Sequence, residues 1–243
     1  MVLMYSGLQE QHRTLKQEVV DNQRDCNDKF AVLDKKYQQL EQRFLSLEQQ
    51  HNSPQEEANQ QKAIIVADNW KGFDSLIIDN YTKYNKINSF FAQAGRLLTQ
   101  LHLLYRGSAD TFAASAFHSK CDTQTNTLTI VKTTDGKIIG GFTTLSWDHT
   151  ADVKSDTEAW LFNIEAPIIF KIKQGGRNAI YANSAYGPVF GIGHDLCICD
   201  NANQRRENGV SGSSYVYDVG VSNLFLTQGT VFFTVEEIEV YQV

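Results

Sequence analysis

Apolar residues in the first fifty positions recur in helical steps. Leu8, Leu15 and Val19, and then Leu33, Tyr37, Leu40, Phe44 and Leu47, follow one another by three, four or seven. That spacing keeps one face of an α-helix apolar and makes a coiled-coil seam. Residues 8 to about 61 are rich in Gln, Glu, Asp and Lys and contain no Gly after Gly7, a helix-forming composition. Leu8 to Leu47 spans about 60 Å at roughly 1.5 Å per residue, too long to fold back on a small domain unbroken. The seam therefore needs a partner helix, from a second copy or another protein. Asn22, Cys26 and Phe30 follow in two steps of four, a stutter that relaxes the supercoil. Asn22 falls on the seam, where a polar residue fixes register at some cost in stability. The predicted oligomerisation residues are Leu15, Val19, Asn22, Leu33, Tyr37, Leu40, Phe44 and Leu47.

Ser53-Pro54-Gln55-Glu56 reads as a helix start: Ser as cap, Pro first in the helix, Glu three residues after the cap. It predicts a break near His51 and a second helix over about 55–68. After Lys71-Gly72 the pattern changes to short apolar runs separated by Gly, Asn, Asp and Ser, as in a β-rich domain. The expected organisation is a coiled coil over 1–52, a linker helix over 53–72 and a β domain over 73–243.

Two helices interrupt the early β region. Thr82 to Gln93 places Tyr84, Ile87, Phe91 and Ala94 on one stripe and ends at Gly95. A second opens at Ser108 as N-cap with Asp110 in its first turn, burying Phe112, Ala113, Ala116 and Phe117. Thr127 to Lys132 and Lys137 to Leu145 flank Asp135-Gly136, a strong hairpin signal. Further strands are predicted at Leu101 to Tyr105, Trp160 to Ile164, Ile168 to Lys173, Asp195 to Cys199, Leu224 to Leu226 and Val231 to Val240. In the last, Val231, Phe233 and Val235 alternate but Ile238 and Val240 take the opposite parity, which predicts a bulge near Glu236. The fold class is α+β, mainly β: a two-sheet antiparallel β-sandwich with flanking helices, preceded by a long coiled-coil helix.

Charge narrows the function. With 22 basic and 28 acidic side chains the formal net charge is -6, and no cluster of Lys and Arg offers a nucleic-acid footprint. The longest apolar runs, such as Ala63 to Ala67 and Pro167 to Phe170, are far shorter than the roughly 20 residues of a membrane span. Met1-Val2-Leu3-Met4 has neither a basic flank nor a long apolar stretch, so the expected compartment is the cytoplasm. Cys26, Cys121, Cys197 and Cys199 are too irregularly spaced for a disulfide framework and are expected as thiols.

Motifs for chemistry are sparse. There is no Gly-rich phosphate loop ending in Lys-Ser/Thr, and Gly191-Ile192-Gly193 lacks the third glycine of a dinucleotide fingerprint. Gly209-Val210-Ser211-Gly212 misses the spacing of a nucleophile elbow. His118 with Cys121 and His194 with Cys197, plus Cys199, have the identities of zinc ligands. Strand parity, however, sets His194 and Cys197 on opposite faces, so no metal or other cofactor is expected. Gly140-Gly141 and Gly175-Gly176 are expected at bulges or close backbone approaches. His194, Asp195 and Asp200 form a polar knot best read as loop capping. Asn201 to Ser214, with Arg205-Arg206-Glu207, is expected as an exposed loop.

Several ordered motifs carry a resemblance: Leu103-Leu104-Tyr105-Arg106-Gly107-Ser108, Phe117-His118-Ser119-Lys120-Cys121-Asp122, Thr127-Leu128-Thr129-Ile130, Gly140-Gly141-Phe142, Trp147, Gly187 to Asp195, and Glu237-Ile238-Glu239-Val240-Tyr241. They resemble the TLDc domain over about Phe73 to Val243. The resemblance implies a β-sandwich with flanking helices, protection from oxidative stress and, in several relatives, binding and regulation of the vacuolar-type proton ATPase. It brings no established catalytic mechanism. The chain departs from the family at Thr111, where Gly often precedes the Phe, and at Ile192, where Gly is common between Gly191 and Gly193.

The resulting expectation is a noncatalytic interaction protein with the proton ATPase as first candidate partner. The expected contacts are Gly193, His194, Asp195, Arg205 and Arg206 on exposed loops and Glu237 and Glu239 on one parity of the final strand. Two alternatives are a scaffold component that its coil holds in a cytoskeletal or ciliary assembly, and a thiol redox protein using Cys121, Cys197 or Cys199.

Overall fold

The structure is a computed structural model that describes residues 2–50, 70, 73–166, 169–173, 175–216, 226, 227 and 229–243, with side chains of the first helix given at 12–18, 20, 21, 23 and 29–43. The chain forms two compact units, Met1–Lys62 and Ala63–Val243.

In the first unit, helix α1 (Val2–Gln50) runs unbroken through the Asn22–Phe30 phase change. Leu15, Leu33, Tyr37 and Leu40 are 62% to 67% exposed. Stepwise apolar spacing thus produces the helix and leaves these four seam residues uncovered. Val19, Asn22, Phe44 and Leu47 are outside the described side chains, and the linker helix expected over 55–68 is outside the described residues.

In the second unit the described residues include helices α2 (Tyr81–Gln93), α3 (Gly107–Asp110) and α4 (Ala114–Cys121). Its strands are β1 (His102–Arg106), β2 (Thr127–Thr133), β3 (Ile138–Thr143), β4 (Asp152–Lys154), β5 (Trp160–Asn163), β6 (Phe170–Lys171), β7 (Ile180–Ala182), β8 (Tyr186–Phe190), β9 (Leu196–Cys199), β10 (Asn208–Gly209), β11 (Phe232–Phe233) and β12 (Val235–Gln242). They form two six-stranded antiparallel sheets, ordered β1-β12-β2-β3-β5-β6 and β11-β10-β9-β8-β7-β4.

The two sheets enclose one core, where Val131, Ile139 and Leu161 meet Ile180, Phe190 and Leu196. A second core lies on the outer face of the first sheet. There Leu128, Ile130, Phe142, Trp160 and Phe162 pack under Tyr84, Ile87, Phe90 and Phe91 of α2. The first sheet is consequently buried on both faces, which explains why β3 is buried at every position. Gly140 and Gly141 belong to this packing: a Cβ on Gly140 would lie 2.0 Å from the Thr129 carbonyl oxygen, and one on Gly141 would lie 2.7 Å from Leu161. Their role is close approach, as expected.

The hairpin turns at Gly136, whose φ is 85°, where glycine is free of Cβ strain. The final run differs from expectation. Phe233 pairs with Asn208 in the second sheet while Val235 pairs with Thr133 in the first, so the predicted single strand is two that change sheets at Thr234. The register shift between Val235 and Glu237 is the predicted bulge. Val231 is 39% exposed and lies off the core face. The run predicted at Ile168 to Lys173 shortens to β6, and most of Leu224 to Leu226 is outside the described residues.

The helix predicted from Ser108 is also divided. Thr111 has φ 79° and ψ 155° and separates α3 from α4. Ser108 is inside α3 and does not cap it. The first amide of α4, on Ala114, is instead satisfied by the Asp200 carboxylate at 2.8 Å, a cap delivered from the loop after β9.

Candidate functional site

Glu239, expected as a docking contact, is fully buried. Its carboxylate accepts from Ser75 Oγ at 2.6 Å, Leu76 N at 2.8 Å, Arg106 Nε at 2.9 Å and Tyr241 OH at 2.8 Å. Four donors satisfy the charge that burial would otherwise penalise. Glu237 is also buried and accepts from the amides of Ser108 at 3.1 Å and Ile238 at 3.0 Å. Both are therefore structural braces, and the expectation that they face a partner is corrected. Parity assigned them correctly to one face; α3 and the 73–78 segment cover that face.

The turn between β8 and β9 separates its three candidates in the same way. Gly193 is exposed. His194 has φ 62° and is half-buried, its ring lying 6.3 Å from that of Tyr181 and 5.7 Å from that of Tyr186. Asp195 is fully buried and accepts from the amides of Ser214 at 2.9 Å and Tyr215 at 3.3 Å. Burial pushes its carboxyl above the usual range against the opposing pull of those amides. A Cβ on Gly212 would lie 2.2 Å from the Asp195 carboxylate, so glycine is required for the approach. Asp195 braces this turn and is not a surface contact, in keeping with the capping reading and against the docking one.

Arg205 and Arg206 are exposed on the loop between β9 and β10. The turn at Gly193 and this loop lie at opposite ends of β9, whose four residues extend about 13 Å at ~3.3 Å each. They do not make one patch. The loop instead joins the β11 edge through Asn208, a buried residue that the motif reading passed over. Its side-chain amide donates to the carbonyls of Ala202 and Arg205 at 2.9 Å and of Phe233 at 3.2 Å, and its oxygen accepts from Cys199 N at 2.9 Å. Beside this clamp, Phe232 is 56% exposed. Two basic side chains thus stand exposed on the loop that enters β10, and one aromatic side chain stands exposed on β11, the last strand of that sheet.

The thiols divide by environment. Cys121 is in the core and burial pushes its thiol up. Cys197 is buried, and its hydrogen bond with Cys199, together with burial, pushes it up too. Both are held in the unreactive thiol form at neutral pH. Cys199 is half-buried and donates from Sγ to the Glu207 carbonyl at 3.3 Å.

The histidine-cysteine sets read from spacing do not assemble. His118 leaves Cys121 in the core and meets Asp122 and His149 instead. His118 Nδ1 is 2.8 Å from Asp122 Oδ1, and His149 Nε2 is 3.0 Å from Asp122 Oδ2. His118 Nε2 lies 3.1 Å from the carbonyl oxygens of both Asn183 and Tyr186. Asp122 follows α4 and bridges to Trp147, which brings in the turn carrying His149. Asp148 fastens that turn through Lys154 at 2.6 Å and Thr150 Oγ1 at 2.6 Å. Among the described residues, these three side chains are the group whose metal-ligating atoms converge, all within 4.8 Å. The His118 and Asp122 spacing of four was a readable helix-face signal; His149 arrives through a long-range bridge and left none.

An open depression is lined by Ala94, Thr157, Glu158, Ala159, Trp160 and Lys171. Among the described residues no helix is long and apolar enough to cross a membrane. The family model for the TLDc domain matches residues 72–243. A comparison with curated proteins finds no match to the chain.

Proposed function

The chain belongs to the TLDc domain family, and on that premise we propose that it is a noncatalytic interaction protein whose sandwich docks on the vacuolar-type proton ATPase. The TLDc family is often linked to oxidative stress; docking is the activity that this chain's surface supports best. The observation that carries the reading is the exposure of Arg205 and Arg206 on the loop entering β10 and of Phe232 on β11, the strand paired with it. Arginine and aromatic side chains dominate binding energy at interfaces because they combine large contact area with directed polarity. Here they stand exposed while Asn208 anchors the backbone behind them, which limits the ordering entropy lost on binding. A basic pair on a chain of net charge -6 also selects an acidic surface on the partner.

The test is capture of purified proton ATPase by the full chain. Reversing both charges, Arg205→Glu with Arg206→Glu, is expected to weaken capture at least tenfold, about 1.4 kcal/mol, without lowering the melting temperature. Deleting residues 1–52 is expected to leave capture in place. Capture that survives the reversal, or that disappears with the helix, removes this surface as the docking site.

A further inference from the structure

We infer that His118, Asp122 and His149 form a zinc site. The argument begins with hydrogen placement. His118 Nε2 faces the carbonyl oxygens of Asn183 and Tyr186, both at 3.1 Å, and carbonyls can only accept. The ring therefore carries its hydrogen on Nε2. In that tautomer the Nδ1 lone pair points at Asp122 Oδ1, 2.8 Å away, and a carboxylate likewise only accepts. Two facing acceptors on a ring that is 2% exposed require something positive between them. A second ring proton supplies it for this pair, and His149 can donate an Nε2–H of its own to Asp122 Oδ2. A divalent cation replaces both protons at once by taking His118, Asp122 and His149 as its ligands.

The surroundings are those of a metal ligand. A ligating histidine characteristically donates its other ring N–H to a backbone carbonyl or carboxylate, which fixes tautomer and ring orientation. His118 does so twice. Tetrahedral zinc with bonds of about 2.0–2.2 Å sets its ligand atoms roughly 3.4 Å apart. The two pairs here are at 2.8 and 3.0 Å, and the widest separation in the group is 4.8 Å. Closure therefore requires only that the carboxylate swing aside and the His149 ring move inward. His149, 62% exposed, has that freedom and leaves a solvent-facing position for a water as fourth ligand.

Ligand type and number favour zinc. Imidazole nitrogen suits zinc, whereas magnesium and calcium take all-oxygen shells. Three protein ligands and one water complete a tetrahedral zinc shell, whereas iron(II), which the same two-histidine, one-carboxylate set serves, needs three further ligands to fill its octahedron. The metal would tie the end of α4 to the 147–150 turn, adding to the Asp122–Trp147 bridge, the Thr123 amide that donates to the Trp147 carbonyl at 3.3 Å and the Phe117 ring packed edge-on to Trp147. Cys121 takes no part, being turned into the core.

The full-length chain, stripped with a chelator and dialysed, is titrated with zinc chloride against a chromogenic zinc chelator. About one zinc per chain is expected. His149→Ala and Asp122→Asn should each weaken binding at least about tenfold, the lower bound for losing even an outer-shell partner. His118→Ala removes a buried ring that could carry folding with it, so His149→Ala is the deciding variant; unchanged melting of its metal-free form shows that the fold is intact. Cobalt(II) in place of zinc should give visible ligand-field bands with no thiolate-to-cobalt charge-transfer band. No zinc uptake, uptake of equal affinity in His149→Ala, or a cobalt–thiolate band would each overturn the assignment.

Discussion

Thr111 shows how one side chain can oppose its own backbone. Its φ of 79° and ψ of 155° fall in a region that is essentially glycine's, and this is one of the two positions read from the sequence as departures from the TLDc pattern. Holding a β-branched residue there costs about 1–3 kcal/mol. Glycine would remove that strain but lose about 0.5–1 kcal/mol through the greater freedom of the unfolded chain. Relief exceeds loss, so Thr111→Gly is expected to stabilise by about 1 kcal/mol, read as a rise of roughly 2–4 °C in melting temperature. Glu239 is the opposite case, a buried charge fully compensated by its neighbours. Glu239→Ala leaves the Arg106 guanidinium, 13% exposed, without its nearer carboxylate, and should cost about 3–5 kcal/mol in urea unfolding. A loss below about 1 kcal/mol would mean that Asp74 and water replace the carboxylate.

At the scale of elements, the stripe on α2 and the pattern of β2 describe one contact from two sides. Leu128 and Ile130 share a face by period two, and Tyr84, Ile87 and Phe91 share a face by period near 3.6; in the structure both faces enter the same core. Phe91 is fully buried, edge-on to Phe142 at 5.3 Å and to Trp160 at 5.2 Å between ring centroids. Phe91→Ala should destabilise by about 3–5 kcal/mol, measured by denaturant unfolding, with an unchanged slope if the state reached is the same. Element boundaries were less readable. The apolar run from Val231 to Val240 gives no sign that Thr234 separates two sheets. Nor does the sequence around Ala113 announce that its following helix is capped by Asp200, because that cap crosses 86 positions of chain.

At the scale of the molecule, the exposed Leu15, Leu33, Tyr37 and Leu40 matter most. A row of large apolar side chains at seam spacing, each more than half exposed, loses about 25 cal/mol for every Å² left in water. We expect the full chain to sediment as an oligomer at micromolar concentration and a chain lacking residues 1–52 to sediment as a monomer. A monomeric full-length protein would assign the seam to a different partner. The deletion reads the proposed docking through the β11 edge and the expected association through α1 independently of one another.

The sequence by itself determined the long N-terminal helix, the β2–β3 hairpin, the bulge before Glu237, the packing role of Gly140 and Gly141 and, through motif order, the TLDc family. Each is fixed by local geometry: a period, a turn residue, or a backbone that excludes a Cβ. Tertiary structure decided whether a polar parity meets solvent. Glu237 and Glu239 read as an outward face because period two separates the sides of a strand without revealing what covers each one; Arg106, the 73–78 segment and α3 cover theirs. It also decided which histidine meets which ligand. His118 and Cys121, three apart on α4, diverge into a polar cluster and an apolar core, while Asp122 and His149 converge from segments joined by the Trp147 bridge. Chemistry built across such distances in the chain depends on packing, which spacing along a sequence does not encode.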